Sequence, residues 1–177
     1  MRHAIAVLTG DVGSGKTTTC GQIVERAQAN GLDCAGIVCP GRFERGEKVG
    51  IDLLDVRTGE RRLLAEVDGQ PAVLRTPRYR FHVETVAWGM ACLDAARSCD
   101  VLIVDELGPL ELERGQGWVN ALEVLRVGQF DLAVVVVRPR LVTTFRAAMG
   151  SIPFHVFALP WSRQGNDLLT DLFALLV

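Results

Sequence analysis

The sequence predicts an α/β fold built on a mainly parallel sheet. Two features carry that expectation. Uninterrupted apolar runs, suited to strands covered on both faces, alternate with stretches of helical periodicity. A short glycine-rich loop lies between the first apolar run and the first helical stretch, as in a strand–loop–helix phosphate motif. With 177 residues the chain is read as one domain, 1–177, long enough to bury a substantial core.

The elements follow in order. "HAIAVLT" is a first buried strand, and a helix is expected from about Lys16 to Asn30, with Gly31 placed as its C-terminal cap. "CAGIVC" is a second strand. Two further buried strands, "CDVLIVDE" (Cys99 to Glu106) and "FDLAVVVVR" (Phe130 to Arg138), are each preceded by a helical pattern, Val83 to Arg97 and Trp118 to Val127. A shorter helix near Thr143 to Met149, a strand "FHVFAL" and a closing helix "NDLLTDLFALLV" complete the series. One segment breaks the alternation. From Gly41 to about Arg80, turn signals at Arg45-Gly46 and Thr58-Gly59 separate short strand-like runs. A β-meander is expected there, about residues 41–80, added to a sheet edge or lying over the site.

Composition narrows the function classes. The chain is 49% hydrophobic and 23% charged with a net charge of −2, which offers no electrostatic footprint for nucleic acid or an anionic membrane surface. No apolar run approaches the roughly 20 residues that span a bilayer. The opening "MRHAIAVLTG" enters the first strand at once and leaves no room for a signal peptide. The five cysteines, Cys20, Cys34, Cys39, Cys92 and Cys99, form no C-x-x-C pair, and their odd number argues against a disulfide framework. A reduced, cytoplasmic protein is expected, with its cysteines serving as small hydrophobes.

Gly10 to Thr17, "GDVGSGKT", fits the pattern G-x-x-x-x-G-K-[ST] between a strand and a helix. Glycines let successive main-chain N–H groups converge on an anion with no Cβ in the way, and the helix start adds its positive dipole end. Gly10, Asp11, Val12, Gly13, Ser14, Gly15, Lys16, Thr17 and Thr18 are therefore expected around a nucleotide's phosphates. Lys16 would reach the β- and γ-phosphates, and the Thr17 hydroxyl would ligate Mg²⁺. Seventeen of the nineteen basic residues are arginine; only Lys16 and Lys48 are lysine. A compact ammonium under a phosphate explains why lysine stands at position 16.

An Mg²⁺ ion at Thr17 needs an acid at the end of a neighbouring buried strand. "VLIVDE" supplies Asp105 as the metal partner, through water because Mg²⁺ keeps much of its hydration shell, and Glu106 to orient or deprotonate an attacking water. Glu106 could instead pair with a nearby arginine.

At "GDVGSGKTTT" and "VDELGPLEL" the chain resembles the THEP-type nucleoside-triphosphatases, small P-loop proteins found across bacteria, archaea and eukaryotes. These have a phosphate loop near the N-terminus, a β-rich insertion, and D-E-[IL]-G-x-[ML]-E-L near mid-chain. The resemblance implies a RecA-like three-layer core and slow, Mg²⁺-dependent hydrolysis of ATP, GTP and other nucleoside triphosphates. By position it carries over to Lys16, Thr17, Asp105 and Glu106. Pro109 stands where many members have lysine, so no phosphate contact is assigned there.

Several residues are secondary candidates. Arg138, at the end of the "VVVV" run, is placed to stabilise charge on the γ-phosphate or to snorkel to water. Arg75, Arg78 and Arg80 in "RTPRYR" could close over a triphosphate. For the base, "LPWSRQGND" offers Trp161 for stacking and Arg163 or Asn166 for hydrogen bonds. Glu111 reads as structural, and His3, His82 and His155 as packing residues, the last two alone in apolar surroundings. Hydrolysis is the first reading. A small-molecule kinase and a nucleotide-gated switch are the alternatives, the latter without an N-K-x-D guanine signature at "VVVVRPRL".

Replacing the ammonium tests the loop most directly. Lys16→Ala should weaken triphosphate binding and phosphate release together, as measured by calorimetry and a phosphate assay. Undiminished activity would discredit the cradle.

Overall fold

The computed structural model describes residues 3–67, 72, 74–161 and 167–176. Among these, the chain forms nine strands in one sheet, flanked by six α-helices. The elements are β1 (Ala4–Gly10), α1 (Lys16–Ala29), β2 (Cys34–Val38), β3 (Gly41–Glu44), β4 (Glu47–Asp55), β5 (Arg61–Val67), β6 (Tyr79–Phe81) and α2 (Val83–Ala95). They continue with β7 (Val101–Leu107), α3 (Pro109–Arg114), α4 (Ala121–Val127), β8 (Leu132–Val137), α5 (Val142–Met149), β9 (His155–Leu159) and α6 (Leu168–Phe173).

The spatial order is β6-β5-β4-β2-β7-β8-β1-β9, with β3 paired to β4. β2, β7, β8, β1 and β9 are parallel, and Cys34, Val101, Leu132 and Ala4 lie level across four of them. The C-terminal ends of these strands therefore emerge along one edge. β8 lies between β1 and β7, so Asp105 stands on the next strand but one from the phosphate loop rather than on the neighbouring strand expected. The shared register still brings both strand ends to the same edge.

Strand alternation explains the three layers. Ile5 and Val7 of β1, with Leu102 and Val104 of β7, join α2, α4 and α5 in one core through Leu93, Leu125 and Phe145. Their alternates Ala6, Leu8, Val101 and Ile103 join Cys20 and Ile23 of α1 and Leu172 of α6 on the other face. A period of two with both faces apolar is what strands covered on both sides require.

The meander is antiparallel and attaches to the β2 edge through β4 (Ile37 to Asp55, Val38 to Leu54). It extends the sheet, as one of the two expected arrangements had it. Gly31 takes a φ of 75° after α1, the left-handed conformation expected of a cap. The helix expected from Trp118 begins at Ala121, because Trp118 is turned into the core beside Leu53 and Leu93. Helix α5 starts after a 3₁₀ turn at Pro139–Leu141, and α6 gives way to another at Ala174–Leu176. The six-residue helix α3 was not foreseen, although Gly108-Pro109 is a helix-start signal. No helix among the described residues is long and apolar enough to cross a membrane.

Phe145 is fully buried and meets Phe154 edge-on with centroids 5.2 Å apart. Phe145→Ala should cost about 3–5 kcal/mol of unfolding free energy in a denaturant titration. A loss below about 1 kcal/mol would mean that this layer repacks freely.

Candidate active site at the strand ends

The loop after β1 forms the floor of the site. Gly15 caps α1 in the left-handed conformation (φ 89°), no side chain caps the helix, and its first turn holds no acidic residue. First-turn N–H groups without side-chain caps are what an anion needs. A Cβ at Gly10 would meet Ser14 Oγ at 2.6 Å and the Leu159 carbonyl at 2.7 Å, so only glycine lets the loop pack against β9. Asp11, Val12, Gly13 and Thr18 are exposed, whereas Ser14, Gly15, Lys16 and Thr17 are half-buried.

The Lys16 ammonium donates to the Gly10 carbonyl (2.8 Å), the Asp11 carbonyl (2.6 Å) and Ser14 Oγ (3.3 Å). It thereby holds the loop closed on itself. Burial lowers its pKa, with Arg138 acting the same way, while Glu106, Asp105 and Asp11 oppose the shift.

The acids arrive on β7. The ladder between β7 and β8 shifts register between Val104 and Leu107, where Leu107 pairs with Val137. One extra residue is accommodated at Asp105-Glu106, and such a bulge re-aims side chains that regular alternation would send to opposite faces. Asp105 is 1% exposed. Its Oδ1 accepts from the Thr17 hydroxyl at 3.4 Å and its Oδ2 from the Cys39 N–H at 3.0 Å. Burial pushes its carboxyl up to about 6 despite these two hydrogen bonds. A buried carboxylate next to a hydroxyl is a hard oxygen donor pair, and the residual destabilisation of its charge is what a divalent cation would relieve. Thr17 and Asp105 could thus hold Mg²⁺.

Glu106 is half-exposed and forms an ion pair with Arg138, whose Nε donates to Glu106 Oε1. The arginine pairing read from the sequence as the alternative for Glu106 is present here. Arg138 follows β8, which separates the loop strand from the acid strand, and its charge reaches Lys16. Beyond the pair, Glu111 Oε2 accepts from the Gly108 N–H at 2.8 Å and Oε1 from the Trp118 N–H at 3.2 Å.

The remaining candidates separate. Trp161 is half-buried, with its ring tilted on Phe157 at 5.1 Å, and packs with Leu168 and Leu172. It lies two residues beyond Leu159, the β9 partner of Gly10. Arg163 and Asn166 lie outside the described residues. Arg80 is paired with Glu66 at 2.6 Å and Arg78 lies over the Tyr79 ring at 5.5 Å. The Arg75 carbonyl accepts from Arg114 at 3.2 Å. His3 stacks on Phe130 at 4.2 Å as a packing residue. His82 lies 3.6 Å from Glu66 and His155 is exposed, so neither is alone in apolar surroundings: the strand pattern carried them to the polar rim. All five cysteines are free thiols, four of them buried, and burial raises the pKa of each.

Comparison with known proteins gives a consistent picture. A family model described as NTPase matches residues 5–159. A protein of Ignicoccus hospitalis named nucleoside-triphosphatase THEP1 is 37% identical over 106 residues, 60% of each chain. A protein of the same name from Methanopyrus kandleri is 36% identical over 123 residues, 69% of this chain and 66% of its own. The matched part thus spans 60% and 66% of these two relatives. The solution structure of a human cancer-related nucleoside triphosphatase superposes with a TM-score of 0.71 at 23% identity, covering 98% of this chain and 96% of that one, and shares its fold.

The burial of Asp105 makes stability depend on pH. Its carboxyl rises from 3.8 to about 6 on folding, so between about pH 4 and 6 the folded state holds a proton that the unfolded chain has released. Stability from this group therefore falls as pH rises through that window, by about 3 kcal/mol for a two-unit shift. In metal-free buffer Asp105→Asn should be the more stable protein at pH 8 by about 2 kcal/mol. The advantage should vanish near pH 4 in denaturant titrations. An Asn variant no more stable than its parent at pH 8 would show that the carboxylate is already compensated.

Proposed function

The chain belongs to the nucleoside-triphosphatase family whose model it matches over residues 5–159, and from that premise we propose that it hydrolyses nucleoside 5′-triphosphates to diphosphate and phosphate. The observation that carries the reading is the meeting of the Thr17 hydroxyl with the buried Asp105 carboxylate, 3.4 Å apart at the start of α1, with Glu106 one residue on.

The loop amides and the Lys16 ammonium bind the β- and γ-phosphate oxygens. Thr17 and Asp105 would hold Mg²⁺, which would neutralise part of the phosphate charge. Glu106 orients a water and accepts its proton as the water oxygen bonds to the γ-phosphorus. The bond from that phosphorus to the β,γ-bridging oxygen breaks, and the diphosphate leaves. The proton held on Glu106 passes to the phosphate product. Arg138 stabilises the charge developing on the γ-phosphoryl oxygens.

The ion pair with Arg138 supports slow turnover, since the guanidinium already engages one oxygen of Glu106. A broad base preference is supported by Trp161, because ring stacking tolerates every base. The reaction needs no acceptor but water.

Two measurements check this. Phosphate release from a panel of nucleoside triphosphates should require Mg²⁺ and proceed with no added acceptor; release only after adding a metabolite extract would favour a kinase. Glu106→Gln should leave triphosphate binding nearly intact while slowing hydrolysis about 100-fold or more. Parent-like turnover in that variant would remove Glu106 from its role.

A further inference from the structure

Glu111 lies outside the cradle, and the reaction above does not use it. We propose that Glu111 is a positioning residue for Glu106: its carboxylate fixes the main chain just after the bulge and so aims the catalytic carboxylate. This inference rests on the reading of Glu106 as the water-activating group.

The structure gives Glu111 the means. Its Oε2 accepts from the N–H of Gly108, two residues beyond Glu106, at 2.8 Å. Its Oε1 accepts from the Trp118 N–H at 3.2 Å, on the chain segment that leads into α4. One carboxylate thereby ties the exit of β7 to the buried Trp118 anchor. The chain at Gly108 is held a second time, since its carbonyl accepts from the Leu112 N–H at 3.0 Å. A Cβ built on Gly108 would lie 3.6 Å from Glu111 Oε2 and 3.9 Å from Glu106 Oε1, so the two carboxylates flank the same residue.

The ladder makes this tether consequential. Leu107 is paired with Val137, while Asp105 and Glu106 occupy the irregular step before it. The direction of Glu106 is therefore set by the main chain on its C-terminal side and by Arg138 at its tip. The carboxylate of Glu111 holds that main chain through Gly108.

Both bonds require an acceptor, which sets glutamate apart from glutamine. A glutamine offers one oxygen and one NH₂, so at one of the two main-chain N–H groups a donor faces a donor. Gly117 supplies an independent handle. A Cβ there would meet Glu111 Oε1 at 2.0 Å, and its φ of 69° is one that other residues resist. Gly117→Ala therefore displaces the Glu111 carboxylate without changing any ionisable group.

The test is a double-mutant cycle on the full chain. Glu111→Gln and Gly117→Ala should each lower kcat about 10-fold with KM little changed, well below their unfolding temperatures. Calorimetric affinity for an Mg²⁺-bound non-hydrolysable triphosphate analogue should match the parent. In a Glu106→Gln background, single-turnover rates should show no further loss from Glu111→Gln, because nothing remains to be aimed. Equal fractional losses in both backgrounds, or a parent-like kcat in a folded Glu111→Gln protein, would overturn the positioning role alone. A Glu106→Gln enzyme as fast as the parent would overturn the underlying reading of Glu106 and this inference with it.

Discussion

The candidate site at the strand ends depends on one carboxylate kept out of water. Asp105 is almost completely buried, and its two hydrogen-bond partners come from opposite sides, the Thr17 hydroxyl on α1 and the Cys39 N–H beyond β2. That arrangement locks the start of the helix, the acid strand and the exit toward the meander into one geometry. It also carries an energetic cost, visible in a carboxyl pushed up to about 6. A protein selected for stability alone would place a neutral residue there. In the proposed reaction a divalent ion beside Thr17 would offset what burial takes away.

Around that carboxylate, charges are arranged so that each restrains another. Lys16 holds loop carbonyls and feels Glu106, Arg138 and Asp105. Glu106 is held in turn by Arg138. A polyphosphate entering this set competes for both cations at once. Its negative charges outweigh the single carboxylate that Arg138 holds, so substrate arrival and release of Glu106 are linked by ordinary electrostatics. The proposed slow hydrolysis fits a site in which the general base starts out paired.

The parts that frame the site are built by different local rules. The glycine-rich loop works through what its residues lack, because a side chain at Gly10 would collide with Ser14 and Leu159. The bulge in β7 works by adding a residue, which frees Asp105 and Glu106 from alternation. Helix α3 and the Trp118 turn follow at once and are joined through Glu111. The meander joins the opposite sheet edge through β4, and its arginines find carboxylates of their own: Arg42 with Asp52, Arg62 with Glu60 and Arg80 with Glu66. These pairs neutralise part of its run of basic residues.

The sequence alone determined the layers and the local form of the loop after β1. Apolar runs covered on both faces imposed a parallel sheet, and G-x-x-x-x-G-K-T imposed a glycine-turned loop with Gly15 capping α1, because both signals lie in contiguous residues whose physics is local. The acid pair was legible for the same reason, ending an apolar strand. Only the tertiary structure decided that β8 separates the loop strand from the acid strand, that Arg138 grips Glu106, and that Glu111 reaches both Gly108 and Trp118. It also decided that Trp118 turns into the core instead of opening a helix. These are contacts between residues far apart in the chain or on different elements, and they are fixed by strand order and register, which no short stretch of sequence encodes.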